Sequence, residues 1–349
     1  MKFYTGSYTE HVGGDLAGNG VGIQCFNLDD QSGEITPLTS SATINPGYLC
    51  INQSKQLLYS FQERLETKLP LLLCFNIEGN KPELLYKQEI TGGLPCHILH
   101  IKDYNCIVVS CYETGNFLIY DLGENGIPQS NPQNITYCGN SINKERQEDP
   151  HAHMAHFDSK HKQLLLADLG CDKVYCLKME NKLFKQVNSV DIPKGGGPRH
   201  MVQHPNGDYL FVNNEMTAEI SLLKWETDKW KWIKNVSAIS TPHLNHASAS
   251  AIKISTCGAY IYVGLRSSNS ISTLKFDAEN ETLLLIEKTD TRGITPRDFE
   301  LSPDGKVLIV GNQDSESIVC FGIDVHKGTL NYRSQIKGVA SVCCVKFEQ

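Results

Sequence analysis

Five residues of this chain combine side chains that together could hydrolyse an anionic substrate: His153, Arg199, Glu215, Arg266 and Arg297. An arginine guanidinium presents a planar fork of donors that suits a carboxylate or a phosphate. A glutamate or a histidine can take a proton from an attacking water molecule. The chemistry needs these side chains at one place, so the elements that carry them decide whether they form a site.

Short apolar runs recur along the whole chain, and each of them ends in a polar turn. Examples are LLYSFQE from Leu57, YLFVNNE from Tyr209 and VLIVGNQ from Val307. These runs are rich in β-branched and aromatic residues and too short for helices, so we expect strands. The Asn-Gly of HPNGD and the Asp-Gly of SPDGK precede two of them, as in tight β-hairpins.

The residue that ends the second strand of each hairpin marks a repeat. The intervals between these residues are 46 to 57 residues, and the residues are Glu63, Tyr112, Leu169, Glu215, Arg266 and Gln313. A period of about 50 residues with several strands in each unit is typical of a β-propeller. The longest interval contains GENGIPQSNPQN at 123–134, which we predict to be a surface insertion.

The two ends of the chain set the number of blades. Lys2–Tyr8 resembles a second strand without a first, and Val339–Phe347 resembles a first strand without a second. Joined, they complete one repeat and remove two open sheet edges. We therefore expect an all-β fold, a single seven-bladed β-propeller domain over residues 1–349 whose last blade joins the N-terminal strands to the C-terminal strand. The alternative is a two-sheet β-sandwich with fortuitous spacing.

Hairpin register predicts where the polar residues lie in the ring. The first strand of a blade lines the central channel, so His153, Arg199 and Arg297 are expected at equivalent positions on innermost strands. Equal distances from the turn at Gly207 predict that His200 lies opposite Glu215. The same reasoning places Asp298 opposite Gln313.

A second set is expected in the neighbouring ring: Glu215, Arg266, Gln313, Tyr112 and Tyr8. Both sets are expected to open on the same mouth of the channel. The catalytic candidates are His153, Arg199, Glu215 and Arg266. The candidates for substrate binding are Arg297, His151, His200, Tyr112, Gln313 and Tyr8. The identity of the general base, Glu215 or His153, stays open because the pKa of each depends on burial. The alternative is a solvated channel wall without chemistry.

Other motifs carry weaker signals. HAHMAH at 151–156 places two histidines on one strand face, but further metal ligands would have to come from other blades, and we predict neither a metal nor a cofactor. His97, His100 and His246 have no evident partners and are expected to be structural. No helix follows the glycines at 195–197, so we predict a loop between blades rather than a phosphate-binding loop.

Composition narrows the class of protein. The net charge of −7 argues against a nucleic-acid-binding surface. No apolar run approaches the roughly 20 residues that span a bilayer, and the first residues do not resemble a secretory signal. The 13 cysteines are scattered without a CxxC pair, which favours reduced thiols and a cytoplasmic location. The expected partner is an anionic small molecule rather than nucleic acid or membrane, and the expected state is a monomer or weak homo-oligomer.

Several longer segments carry a family resemblance. DPHAHMAHFD, GGGPRHMVQHPNGDYLFVNNE, TPRDFELSPDGKVLIVGNQDSESI and the N-terminal YTGSYT are similar to the lactonase family of seven-bladed propellers. That family is typified by a bacterial 6-phosphogluconolactonase and a fungal 3-carboxy-cis,cis-muconate lactonizing enzyme. The resemblance covers essentially the full length. It implies that His153, Arg199, Glu215 and Arg266 fall in the family's active-site funnel.

The resemblance implies a hydrolase that opens a sugar lactone, with 6-phosphogluconolactone as the first candidate substrate. Arginines would then bind the phosphate and stabilise the oxyanion. One alternative is a lyase that closes a carboxylated muconate in the same basic funnel. Another is a non-catalytic propeller scaffold, although the repeats lack Trp-Asp ends. Leu265, Cys96 and Cys111 depart from the family pattern, which bears on the substrate more than on the fold.

Overall fold

Seven four-stranded antiparallel sheets are formed by residues 1–239 and 248–348, the part of the chain that the computed structural model describes. The chain begins with β1 (Lys2–Ser7), β2 (Gly22–Leu28) and β3 (Ile35–Ala42). Blade 1 contains β4 (Cys50–Asn52), β5 (Leu57–Phe61), β6 (Leu71–Asn76) and β7 (Glu83–Glu89). Blade 2 contains β8 (Pro95–Ile101), β9 (Cys106–Cys111), β10 (Asn116–Asp121) and β11 (Gln133–Thr136).

The next four blades follow the same inside-to-outside order. Blade 3 contains β12 (Ala152–Asp158), β13 (Gln163–Asp168), β14 (Lys173–Glu180) and β15 (Leu183–Asp191). Blade 4 contains β16 (Pro198–Gln203), β17 (Tyr209–Asn214), β18 (Glu219–Glu226) and β19 (Lys229–Ser237). Blade 5 contains β20 (Ala249–Ile254), β21 (Tyr260–Leu265), β22 (Ser270–Asp277) and β23 (Thr282–Asp290). Blade 6 contains β24 (Pro296–Leu301), β25 (Val307–Asn312), β26 (Ser317–Ile323) and β27 (Leu330–Lys337).

Blade 7 joins the two ends of the chain. The last strand, β28 (Val342–Phe347), pairs with β1 in the strand order β28-β1-β2-β3. Phe3 lies opposite Phe347, and Gly6 lies opposite Cys344. The predicted seven-bladed propeller and its closure by the N-terminal and C-terminal strands are therefore confirmed. Short 3₁₀ helices lie at Gln53–Lys55, Glu66–Lys68, Lys102–Tyr104 and Arg266–Ser268.

Position within the blade explains the pattern of burial. Every residue of the second strands β17, β21 and β25 is buried, because neighbouring blades cover both faces of these strands. Such strands read as continuous apolar runs, which is why they gave the strongest signal in the sequence. Outer strands such as β7 and β3 keep mainly exposed side chains. Apolar clusters between blades form the core, and Phe3 stacks on Phe26 in the cluster beside β28.

A β-bulge near the mouth shifts the register of the innermost strand in six blades. In β16, His200 pairs with Asn213 while Arg199 has no partner residue. The prediction that His200 lies opposite Glu215 is therefore wrong. Counting symmetrically from the turn assumes one residue per position, and a bulge inserts one more.

The same bulge corrects the register of blade 6, and the long interval before blade 3 also differs from expectation. Asp298 pairs with Gly311, not with Gln313. The segment at 123–134, predicted as a surface insertion, is a loop only to residue 132, because β11 begins at Gln133. A second long loop, 137–151, connects β11 to β12 and reaches the mouth of the channel.

Candidate active site

A cavity of about 650 Å³ opens at the end of the propeller where the innermost strands begin. All four predicted catalytic residues line it: His153, Arg199, Glu215 and Arg266. Four of the predicted substrate-binding residues line it as well: Arg297, His200, Tyr112 and Tyr8. Residues more than 250 positions apart in sequence therefore share one wall.

The repeated bulge explains how strand residues reach this cavity. The residue left without a cross-strand partner is Cys96 in β8, His153 in β12, Arg199 in β16, Arg297 in β24 and Cys343 in β28. All five line the cavity. A bulge bends the strand and redirects the side chain of the extra residue. The same irregularity in successive blades therefore builds one ring of side chains.

Glu215 is the centre of the charged cluster. Its Oε2 lies 2.9 Å from Arg199 Nε and 3.1 Å from Arg266 Nη2, and its Oε1 accepts a 2.9 Å hydrogen bond from Arg146 Nη2. Burial alone would raise the pKa of Glu215, but the three guanidinium groups outweigh burial and hold that pKa well below its usual value. The carboxylate therefore stays ionised and is a weak base.

Backbone carbonyls hold two of these arginines in place. Arg199 Nη1 donates to Ser250 O at 2.6 Å, and Arg266 Nη2 donates to Ala249 O at 3.0 Å. Burial lowers the pKa of Arg266 to about 10. The charge of Glu215 offsets part of this effect, and the charges of Arg199 and Arg297 add to it. The crowding of positive charge favours an anionic ligand.

His153 faces the same carboxylate. Its Nε2 lies 3.9 Å from Glu215 Oε2, and Cys96 Sγ lies 4.0 Å from its Nδ1. Burial lowers the pKa of His153 well below its usual value, and the charge of Arg199 lowers it further. The imidazole is therefore neutral near pH 7. With the proton on Nδ1, Nε2 offers a lone pair to a water molecule in the cavity.

A second charged group joins Tyr8, Glu63 and Arg297. Tyr8 OH donates to Glu63 Oε2 at 3.0 Å, and Arg297 Cζ lies 5.1 Å from the centroid of the Tyr8 ring, a cation–π contact. Burial raises the pKa of Glu63, although Arg297 pulls in the opposite direction. The sequence marked Glu63 as the repeat equivalent of Glu215 but did not single it out for the site. That shared position was the signal that could have found it.

Arg146 is a cavity residue that no repeat position predicts. It lies in the 137–151 loop, where Asn143 Oδ1 accepts a hydrogen bond from the Arg146 backbone N–H, and buried Gln147 donates from Nε2 to Leu169 O at 2.9 Å. The Arg146 side chain is 45% exposed, and its Nη2 also donates to Tyr112 OH at 3.1 Å. The anchored loop thus presents a guanidinium at the mouth. In the sequence, only the unusual length of the interval between Tyr112 and Leu169 indicated this loop.

An apolar wall lies beside the charged groups. The long connection between β1 and β2 brings Val12 and Leu16 to the cavity, where they pack with Tyr8, Leu94 and Cys343. The Val12 backbone N–H donates to Leu16 O at 2.8 Å, which keeps this segment folded back. Apolar surroundings strengthen charge interactions inside the cavity.

Two predicted binding residues do not line the cavity. His151 stacks on Tyr112 with ring centroids 4.4 Å apart, and its Nδ1 lies 2.9 Å from Tyr112 O. It therefore supports a cavity residue from behind. Gln313 Nε2 donates to Asp314 Oδ1 at 2.8 Å, so this amide binds the neighbouring residue of its own turn. His246 lies outside the described residues.

The remaining motifs have structural partners. The N–H groups of Gly195 and Gly197 donate to the Asp172 carboxylate at 2.6 and 2.7 Å, within the connection from blade 3 to blade 4. Across residues 1–239 and 248–348, no cluster of three or more His, Cys, Asp or Glu side chains is arranged to hold a metal ion. The 13 cysteines are free thiols. No helix in the described part of the chain has the length and apolar character to cross a membrane.

Comparison with known proteins gives the same family over nearly the whole chain. The model of the family "Lactonase, 7-bladed beta-propeller" matches residues 2–347. A 6-phosphogluconolactonase of Bacillus subtilis (strain 168) is 30% identical over 346 residues, covering 97% of this chain and 98% of the relative. A 6-phosphogluconolactonase of Formosa agariphila is 29% identical over 337 residues, covering 94% of each.

Solved structures show the same fold. The crystal structure of a Lactobacillus plantarum protein superposes with a TM-score of 0.90 at 25% identity and covers 99% of this chain and 98% of that chain. The resemblance seen in the sequence motifs is therefore confirmed. On the match of residues 2–347, this chain belongs to the lactonase family of seven-bladed β-propellers.

Proposed function

We propose that this protein hydrolyses a phosphorylated sugar lactone and that 6-phosphogluconolactone is its substrate. The observation that carries the proposal is the cluster of arginine side chains in the cavity wall. Four guanidinium groups line it, those of Arg146, Arg199, Arg266 and Arg297. The carboxylates among them are those of Glu63 and Glu215; a third, on Asp15, is exposed, and the fourth, on Asp298, is buried in the floor.

Around Glu215, three guanidinium groups share a single carboxylate, and the local surplus of positive charge there suits a phosphate dianion. Arginine forks bind phosphate oxygens in pairs, and a buried setting strengthens the interaction. The two relatives named 6-phosphogluconolactonase support the same substrate. We assign phosphate binding to Arg146 and Arg297, which leaves Arg199 and Arg266 beside His153.

The reaction is a water attack on the lactone carbonyl. His153 Nε2 takes a proton from water as the water oxygen bonds to the carbonyl carbon, and Glu215 stabilises the imidazolium that forms. Arg199 and Arg266 stabilise the tetrahedral oxyanion. The carbon–oxygen bond of the ring then breaks, and the ring oxygen takes the proton back from His153. The product is the open hydroxy acid.

Glu215 is assigned to positioning rather than to proton transfer. Its contacts with three guanidinium groups keep its pKa well below the usual value, so it accepts a proton poorly at neutral pH. The same carboxylate oxygen contacts Arg199 and Arg266 and lies 3.9 Å from His153 Nε2, so Glu215 keeps both guanidinium groups beside the base.

The test is hydrolysis of 6-phosphogluconolactone and of glucono-δ-lactone, with the spontaneous rates subtracted. We expect Arg146→Ala to lower kcat/KM for the phosphorylated lactone about 10- to 100-fold more than for the plain one, because a charged hydrogen bond contributes about 1.5–3 kcal/mol. Using the ratio cancels any effect of Arg146 on Glu215. Lys144→Ala, an exposed cation on the same loop, is the matched control and should leave the ratio unchanged.

Two results would contradict the proposal. One is a wild-type protein that does not exceed the spontaneous rate with either lactone. The other is an Arg146→Ala variant with an unchanged ratio. In the first case, assay of carboxymuconate closure tests the lyase alternative with the same protein.

A further inference from the structure

The floor of the cavity contains polar groups that the proposed hydrolysis does not use. Tyr48, His200 and Asp298 line the cavity together with the arginines. Their exposed fractions are 7%, 4% and 1%. His200 and Asp298 directly follow the bulged residues Arg199 and Arg297, so they lie one residue further from the mouth.

Asp298 has an acceptor without a partner. Its Oδ2 accepts a 3.0 Å hydrogen bond from the Val345 backbone N–H. Its Oδ1 is buried and has no hydrogen-bond partner among the described residues. Folded proteins leave few buried polar atoms unpaired, so an unpaired carboxylate oxygen at a cavity wall indicates a place for a ligand donor.

Tyr48 and His200 add donors beside this acceptor. The Tyr48 ring is held by His97 and His200, with centroids 4.5 Å and 6.0 Å away. Burial, assisted by the charge of Asp298, raises the pKa of Tyr48, so its hydroxyl keeps its proton. His200 Nε2 accepts from Arg199 Nη1 at 3.2 Å, which leaves the ring proton on Nδ1.

We propose that Tyr48, His200 and Asp298 form a subsite for the ring hydroxyl groups of the substrate and select polyhydroxylated lactones. A sugar hydroxyl both donates and accepts, and the floor offers one acceptor and two donors. An apolar ring would leave the buried Asp298 oxygen without a hydrogen-bond donor, which is unfavourable. The subsite rests on the proposed function, since it names which part of that lactone the floor binds.

Two conservative variants test the subsite. Asn at position 298 must keep its oxygen towards the Val345 N–H, so Asp298→Asn presents an NH₂ donor in place of Oδ1. Tyr48→Phe removes only the hydroxyl. We expect each to lower kcat/KM for glucono-δ-lactone about 10- to 100-fold, the loss typical of an unpaired buried polar group. Hydrolysis of δ-valerolactone, which lacks the hydroxyls, should change less than about twofold.

Tyr120→Phe is the matched control. Tyr120 is a buried tyrosine like Tyr48, but it belongs to the core between blades and does not line the cavity. It should leave both lactones unaffected. Equal losses with glucono-δ-lactone and δ-valerolactone in the floor variants would overturn the subsite, because a structural or catalytic role affects both. Thermal melting of each variant establishes that it is folded.

A binding measurement separates this inference from the proposed function. D-glucitol 6-phosphate and inorganic phosphate are titrated calorimetrically into wild type, Asp298→Asn and Tyr48→Phe. We expect wild type to bind the sugar phosphate more tightly than phosphate and both variants to lose that preference. If the protein shows this binding preference but hydrolyses no lactone, the hydroxyl subsite is supported and the proposed hydrolysis is contradicted. Unchanged preference in the variants of an active hydrolase would overturn the floor alone.

Discussion

Two side chains 3.9 Å apart, Glu215 and His153, have opposite electrostatic settings in the same cavity. Three guanidinium groups hold the Glu215 carboxylate ionised, whereas burial keeps the His153 imidazole neutral. The sequence named both as possible bases and could not separate them, because burial and neighbouring charges set the pKa and no local pattern encodes either. Arg146 was beyond prediction for a similar reason, since its partners come from other blades.

These settings predict different kinetic effects of two substitutions. His153→Asn should lower kcat for 6-phosphogluconolactone about 10²- to 10⁴-fold with little change in KM, because it removes the base and leaves the arginines. Glu215→Gln should lower kcat less and raise KM, because it releases three guanidinium groups from a shared partner. Steady-state kinetics with spontaneous hydrolysis subtracted measures both.

The pH profile gives an independent readout. The His153 pKa lies well below its ordinary value of 6.5 because the ring is buried, so it stays unprotonated as the pH falls through 6.5. Wild-type kcat/KM should therefore hold through that value and decline only at lower pH. In the kinetic comparison of the two variants, a far greater loss of kcat in Glu215→Gln than in His153→Asn would make Glu215 the base and His153 the positioning residue.

At the scale of elements, strands were predictable and their irregularities were not. Continuous apolar runs identified second strands such as β17 and β25, because both faces of these strands are covered by neighbouring blades. The bulge at Arg199 changes no apolar pattern, yet it moves His200 away from Glu215 and aims Arg199 into the cavity. Register counted from a turn therefore placed the correct strands at the mouth but the wrong partners across them.

The loop between β3 and β4 packs closely against Glu63, which forms the second charged group with Tyr8 and Arg297. A Cβ at Gly47 would lie 1.9 Å from Glu63 Oε2, so only glycine leaves room for the carboxylate that accepts from Tyr8. We expect Gly47→Ala to displace Glu63, to destabilise the protein by about 1–3 kcal/mol as overpacking does, and to raise KM through Arg297. Urea unfolding and lactone kinetics measure the two effects.

Gly79→Ala is the control for that substitution. No atom lies within 4 Å of the Cβ position at Gly79, so alanine there should affect neither stability nor KM beyond experimental error. A Gly47→Ala protein that matches it in both measurements would show that Glu63 moves aside at no cost and that Gly47 does not support the site.

For the whole molecule, the two ends of the chain made the number of blades predictable from the sequence. Lys2–Tyr8 and Val339–Phe347 were incomplete as separate hairpins, and the structure pairs them as adjacent strands of one sheet. Closure is a property of the complete ring, so the number of repeats and the two orphan strands were sufficient to predict it. The cavity is also a property of the ring, but its contents depend on loop and bulge geometry that repeats do not carry.

Closure should therefore control the stability of the whole propeller. Truncation after Val339 removes β28, which pairs with β1 and packs on blade 6, so it leaves an open edge on β1 and an uncovered apolar face on blade 6. We expect the truncated chain to show no cooperative melting near the wild-type temperature. The milder Phe347→Ala removes one buried ring that contacts Phe3, and it should cost about 3–5 kcal/mol in urea unfolding. Val325→Ala, an exposed apolar residue in the preceding blade, should change stability by less than about 0.5 kcal/mol. A truncated protein that melts with wild type would mean that the other six blades hold the ring without the closing strand.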